Sequence, residues 1–191
     1  MKRFYPLMGS IGVLFLFIST SILVSKKFLI YNYTDSLPHG IYLLHSGAIK
    51  KGDLIVFEPP LAVRKIIHER KYLRDDGYLM KYMVGEPGDS VCTDNDIFSV
   101  AGTIFGKTLL TDTTGKPLPR YSFSGRLKEG YLVAIKGKNN SFDSRYFGPI
   151  QTSTIIGIAK PFWIEEDSKI SQQDSFLSSR CLRRIKKDRI P

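Results

Sequence analysis

Residues 32 to 42 read Asn-Tyr-Thr-Asp-Ser-Leu-Pro-His-Gly-Ile-Tyr, with Asn32, Thr34, Ser36, Pro38, Gly40 and Tyr42 at every second position. A period of two belongs to an extended chain, whose alternate side chains share a face. Pro38 and Gly40 can hold the backbone in an open bend just past Ser36, which displays one hydroxyl as a candidate nucleophile. The stretch begins a few residues after Leu7 to Val24, eighteen residues without a charge, behind Met-Lys-Arg. That length is near the lower limit for a membrane helix of about 20 residues. We read it as an uncleaved anchor. Ser19, Thr20 and Ser21 also suit a cleaved signal peptide, and both readings export the remainder. Lys26 and Lys27 beyond it blur the positive-inside signal.

The rest of the chain is punctuated for short strands. Gly40 to Leu44 and Leu54 to Phe57 read as strands around the turn Lys50-Lys51-Gly52-Asp53. After Pro59-Pro60, Leu61 to Leu73 reads as an amphipathic helix, ended by Asp75-Asp76-Gly77 and placed as a surface helix, a lid or an insertion. Tyr78 to Val84 reads as a strand closed by Gly85-Glu86-Pro87-Gly88-Asp89, a strong turn signal. Short strands follow to about Leu110, then a loop or hairpin over Thr111 to Ser124. Tyr131 to Lys136 and Ile155 to Ala159 read as further strands. This pattern predicts a mainly β fold of antiparallel, closely folded sheets behind one N-terminal membrane helix. Residues 1–30 form the anchor segment, 31–163 the folded domain, and 164–191 a polar, then basic, flexible tail.

Composition narrows the chemistry. An apolar content of 42% with twelve Phe supports a real core. The formal net charge is +10, but residues 176–191 hold six Lys or Arg against one Asp, so much of the excess lies in a short tail. The basic run Arg180 to Arg189 holds no aromatic to stack on bases, so nucleic acid is not an expected partner. Two cysteines, Cys92 and Cys181, are too few for a disulfide framework. Because Cys181 lies in the tail, a stable pair with Cys92 is not expected. His39, His45 and His68 have no metal-ligand spacing, which predicts no metal, and no Gly-rich phosphate loop is present. A Ser-His-Asp triad has no distinctive context around any of the three histidines.

A lysine is the other candidate base. Lys81 sits in Leu79-Met80-Lys81-Tyr82-Met83-Val84, on the face of Leu79 and Met83. Burial there disfavours the ammonium form, and a neutral amine can take a proton from a serine. By pattern alone, a single lysine in a strand more often snorkels at an edge. A third segment, Lys138 to Gly148, contains Ser141, which could position a neutral lysine, and Asp143 with Arg145, which could brace a loop. By composition alone it is equally a polar turn.

Together these segments resemble the signal peptidase I superfamily of Ser-Lys membrane proteases. Ser36-Leu37-Pro38 looks like the nucleophile box, and Lys81 to Asp89, ending in Gly-Glu-Pro-Gly-Asp, looks like the lysine box. Asn140-Ser141-Phe142-Asp143-Ser144-Arg145 looks like the third. The Asn-x-Thr-x-Ser-x-Pro-x-Gly-x-Tyr form of residues 32 to 42 is similar to the TraF-type conjugal-transfer peptidases in particular. The resemblance implies Ser36 as nucleophile, Lys81 as general base, and Thr34 with the Ser36 N–H as oxyanion hole. It implies Ser141 as orienter of Lys81, and Asp143 with Arg145 as loop braces. No cofactor is implied. The implied activity is a membrane-anchored serine endopeptidase that processes exported precursors on the periplasmic face of the bacterial inner membrane. The implied partners are the lipid bilayer, a membrane-tethered pilin or signal-peptide-bearing precursor, and proteins of the conjugation apparatus. Rival readings are a general signal peptidase, and a non-enzymatic assembly protein whose basic tail binds nucleic acid or anionic lipid. Relatives often pair a cysteine after the lysine box with one before the Tyr131 strand. Cys92 fits the first place, but Ser122 to Arg126 has no cysteine, so that staple is not expected.

Overall fold

The computed structural model of the chain describes residues 10–16, 19, 29–74 and 77–165. Among these, the strands in chain order are β1 (Leu29–Asn32), β2 (Gly40–His45), β3 (Leu54–Phe57), β4 (Leu79–Gly85) and β5 (Ser90–Cys92). They continue with β6 (Ile97–Val100), β7 (Thr103–Lys107), β8 (Gly125–Arg126), β9 (Leu132–Ala134) and β10 (Ile155–Ile164). A six-stranded sheet has the order β1-β2-β10-β3-β4-β9, and a four-stranded sheet the order β7-β6-β5-β8. The named pairings are antiparallel. The mainly β, antiparallel expectation is met.

β10 outruns its predicted length for a tertiary reason. Ile155 to Ile158 pair with β3 and Ile158 to Ile164 with β2, the second pairing carrying a register shift between Pro161 and Trp163. Lys160-Pro161 reads as a strand end in isolation, yet a bulge tolerates the proline. Gly40 is required where β2 meets this strand. Its φ is +147°, and a Cβ there would strike the Trp163 carbonyl oxygen. The helix Leu61–Glu69 turns Val63 and Ile67 inward and stops short of the predicted Leu73. Arg70 and Tyr72 instead turn their side chains to Asp112, and Lys71 takes a positive φ of 54°. The predicted stop at Asp75-Asp76 lies outside the described residues.

Around β3 and β4 both faces of the larger sheet are buried. One carries Ile55, Phe57, Leu79 and Met83 with helix residues Val63 and Ile67. The other carries Leu54, Val56, Met80 and Tyr42 with Leu37. A third cluster, including Val84, Val91, Phe98 and Leu132, joins the two sheets. Lys81 thus sits in a strand apolar on both faces, which is what makes its charge expensive.

Residues 10–16 are helical and exposed, and among the described residues no helix is long and apolar enough to cross a membrane. Much of the expected anchor, and the tail from 166 onward, lie outside those described. One expectation is corrected. Cys92, buried on β5, is disulfide-bonded. The only other cysteine of the sequence is Cys181, outside the described residues. That a cysteine lies in a polar, basic tail does not by itself keep it from a disulfide.

Candidate active site

The loop from β1 to β2 is built by one amide. Asn32, buried at the end of β1, donates through Nδ2 to the carbonyls of Thr34, Leu37 and Pro38, each at 3.0 Å. Its Oδ1 accepts from the Thr34 N–H at 3.2 Å and the Thr34 hydroxyl at 2.8 Å. The Tyr42 hydroxyl donates to the Pro38 carbonyl at 2.9 Å, and burial pushes its pKa up to about 12. These bonds satisfy the backbone of a non-repetitive loop and fix the direction of Ser36. Sequence reading marked Asn32 as part of the period-two pattern but gave it no task. The available signal was an Asn opening a Pro- and Gly-bearing turn, where its side chain can bond backbone nearby.

β4 supplies the partner. Lys81 Nζ donates to Ser36 Oγ at 2.6 Å, while Lys81 is only 4% exposed. Burial pushes the Lys81 ammonium down to about 8; Asp143 draws it up and Arg145 pushes it further down. Thr34 Oγ1 lies 3.3 Å from Ser36 Oγ. Ser36, Thr34, Lys81 and Ser141 all line one cleft of about 390 Å³.

The third segment stands behind the cleft. Ser144 Oγ accepts from the Val133 N–H at 2.9 Å, and Asp143 Oδ2 from the Ile135 N–H at 3.4 Å, stitching the loop to β9 and its extension. Asp143 caps the short helix Ser144–Phe147 and holds Arg145 through Nε and Nη2, both at 2.8 Å. Arg145 also donates to the carbonyls of Lys107, Lys138 and Ser141. Ser141 is thereby placed in the cleft wall, but its buried Oγ has no hydrogen-bond partner, Lys81 included. None of His39, His45 and His68 lines the cleft. His39 faces Asp35 at 3.2 Å. Among the described residues no cluster of His, Cys, Asp or Glu could hold a metal ion.

The arrangement defines a class first. A serine hydroxyl, a buried lysine of lowered pKa and adjacent hydroxyls in a cleft are the parts of a serine peptidase. The chain belongs to the family described as signal peptidase, peptidase S26, whose sequence profile matches residues 1–163. Within it, the chain is 34% identical over 141 residues to the plasmid transfer protein TraF of Escherichia coli, covering 68% of this chain and 80% of that protein. It is 28% identical over 145 residues to the conjugal transfer protein TraF of Agrobacterium fabrum, covering 68% and 79%. A signal peptidase I crystal structure from Enterococcus faecalis superposes at a TM-score of 0.35 and 21% identity, covering 60% of this chain and 98% of that one, too loosely to carry an argument.

Proposed function

We propose that this protein is a membrane-anchored Ser-Lys endopeptidase that processes an exported precursor of a conjugation system, with a pilin precursor as substrate. The observation that carries the reading is the 2.6 Å contact between a buried Lys81 and Ser36. Neutral Lys81 takes the Ser36 proton as Oγ attacks the scissile carbonyl. The Thr34 hydroxyl turns from Asn32 Oδ1 and, with the Ser36 N–H, donates to the resulting oxyanion. As the tetrahedral intermediate collapses, Lys81 returns the proton to the leaving amine, and an acyl-Ser36 ester remains. Water then releases a shortened chain, or the precursor's own N-terminal amine releases a circular one. Ser141 lines the same cleft as Lys81 without bonding to it, and Asp143 with Arg145 holds that wall in place. β1 is an edge strand beside the nucleophile, so an extended substrate can add to it through main-chain bonds.

The apolar segment Leu7 to Val24 supplies the anchor in this reading, holding the cleft on the periplasmic face where tethered precursors reach high effective concentration. The relatives' names in plasmid and conjugal transfer favour a pilin precursor over the general run of exported proteins. Co-expression with candidate pilin precursors tests the proposal. Wild-type protein should yield a processed product and Ser36→Ala none, with a circular product one water lighter than the linear one. Equal processing by Ser36→Ala would overturn the peptidase reading. Preferential cleavage of ordinary signal-peptide-bearing precursors would move it to a general signal peptidase.

A further inference from the structure

The cleft continues beyond Ser36 and Lys81 to a wall that the acyl-transfer chemistry does not use. Arg70 and Tyr72 follow the helix Leu61–Glu69 and reach the loop that follows β7. The Tyr72 hydroxyl donates to Asp112 Oδ2 at 2.6 Å, and Arg70 Nη1 donates to the same oxygen at 2.9 Å. Arg70 Nη2 also donates to the Pro117 carbonyl at 2.9 Å. Asp112 Oδ1 accepts from the Thr114 N–H, the Thr114 hydroxyl and the Lys116 N–H, at 2.7 to 2.9 Å. Both carboxylate oxygens are therefore occupied. The hydrogen bond from Tyr72, with those from Thr114 and Lys116, holds the carboxyl well below the usual carboxylate range against the effect of desolvation. No charge is left over here for a ligand: this is a latch.

The latch fixes an aromatic surface. The Tyr72 ring stands edge-on to Phe142 at 5.4 Å, and Phe142 stacks on Tyr146 at 5.2 Å. The Tyr146 hydroxyl accepts from the Leu109 N–H at 3.2 Å. Tyr72, Phe142, Tyr146 and Leu109 all line the same cleft as Ser36 and Lys81, and Phe142 directly follows Ser141. At the other end of the segment, the Arg74 N–H donates to the Tyr33 hydroxyl at 2.7 Å and the Arg74 guanidinium lies 4.8 Å over the Tyr33 ring. Residues 70 to 74 thus cross from the nucleophile loop to the loop carrying Asp112.

We infer that the wall of Tyr72, Phe142, Tyr146 and Leu109 is a subsite for an apolar side chain of the precursor, and that Tyr72 is its specificity-determining residue. The inference rests on the peptidase reading. Its apolar character follows from the mutual neutralisation of Arg70 and Asp112 and from a lining of rings and Leu109. Its selectivity follows from the latch, since a ring held at both its hydroxyl and its edge cannot move aside for a larger group. One methylene too many or too few in such a pocket changes kcat/KM by roughly 10- to 200-fold.

The test uses the full-length protein in detergent and a precursor that it cuts, with Ala, Leu or Phe placed in turn at each position flanking the cleaved bond. In Tyr72→Ala, the ratio of kcat/KM between the larger and smaller side chain should shift at least tenfold toward the larger at one position and stay put at the others. Tyr72→Leu keeps an apolar contact with Phe142 and serves if the alanine variant does not fold; it should shift the ratio at the same position. Variants that cut the precursors with the wild-type order of preference at every position overturn this inference alone. Wild-type protein that cuts no precursor overturns the peptidase reading, and this inference with it.

Discussion

Lys81 on β4 and Arg145 in the loop after β9 are both cations withdrawn from water, 4% and 0% exposed. Arg145 is compensated on every nitrogen: Asp143 takes a forked pair of bonds and three backbone carbonyls take the rest. Lys81 has one hydrogen bond, to a neutral hydroxyl. Arginine's planar fork and high intrinsic pKa suit a permanent charge that frames a loop, whereas lysine's amine loses its proton when left short of partners. The drop of Lys81 to about 8 corresponds to about 3 kcal/mol set against its charged form. The difference teaches how the fold divides labour. One buried cation has a partner for every nitrogen, and the other has a single hydroxyl, which is the state the proposed general base requires.

The sharpest way to break this contrast is to make the second cation permanent. Lys81→Arg and Ser36→Ala should each lower the cleavage rate by roughly 10⁴-fold or more, measured as product formed by purified protein, since the members of such a unit fail together. Lys81→Met should be as inactive while remaining folded by circular dichroism, which separates loss of a base from loss of structure. Next comes Thr34→Val, which removes one oxyanion donor and should cost roughly 10²–10³ in kcat with little change in KM.

The pH profile probes Lys81 without mutation. In the proposed mechanism the working form is the neutral amine, and burial favours it. Activity should therefore rise with pH and level off above an apparent pKa of about 8. A rate that falls across that range would contradict a lysine base. The opposite manipulation breaks Arg145. Arg145→Met strands the buried Asp143 carboxylate, a loss of about 3–5 kcal/mol that should appear as a melting temperature lower by about 10 °C. The smallest effects belong to the histidines off the cleft. His39→Ala and His68→Ala should leave the rate within about a factor of two.

The sequence showed these parts unevenly, for physical reasons. β3 and the Asp and Arg of the third segment were legible because each depends on local pattern, whereas residues 33 to 39, read as extended from a period of two, form a turn that folds β1 back onto β2. Lys81 was ambiguous alone, because a strand pattern does not say whether its second face is covered. In the fold both faces of β4 are packed apart from Tyr82. The true end of the helix and the length of β10 were hidden because Asp112 and β2, far along the chain, decide them. The disulfide state of Cys92 was hidden for the same reason. Asn32 shows the converse: its bonds are local, but an Asn in a turn has many possible partners, and only the traced loop says which it takes.

The sheet order carries a consequence for timing. β10, the last strand, lies between β2 and β3, and so between the half of the sheet that bears Ser36 and the half that bears Lys81. Until residues 155 to 164 are made, those two halves have no strand between them, and the contact of Lys81 with Ser36 lacks the strand that holds the halves in register.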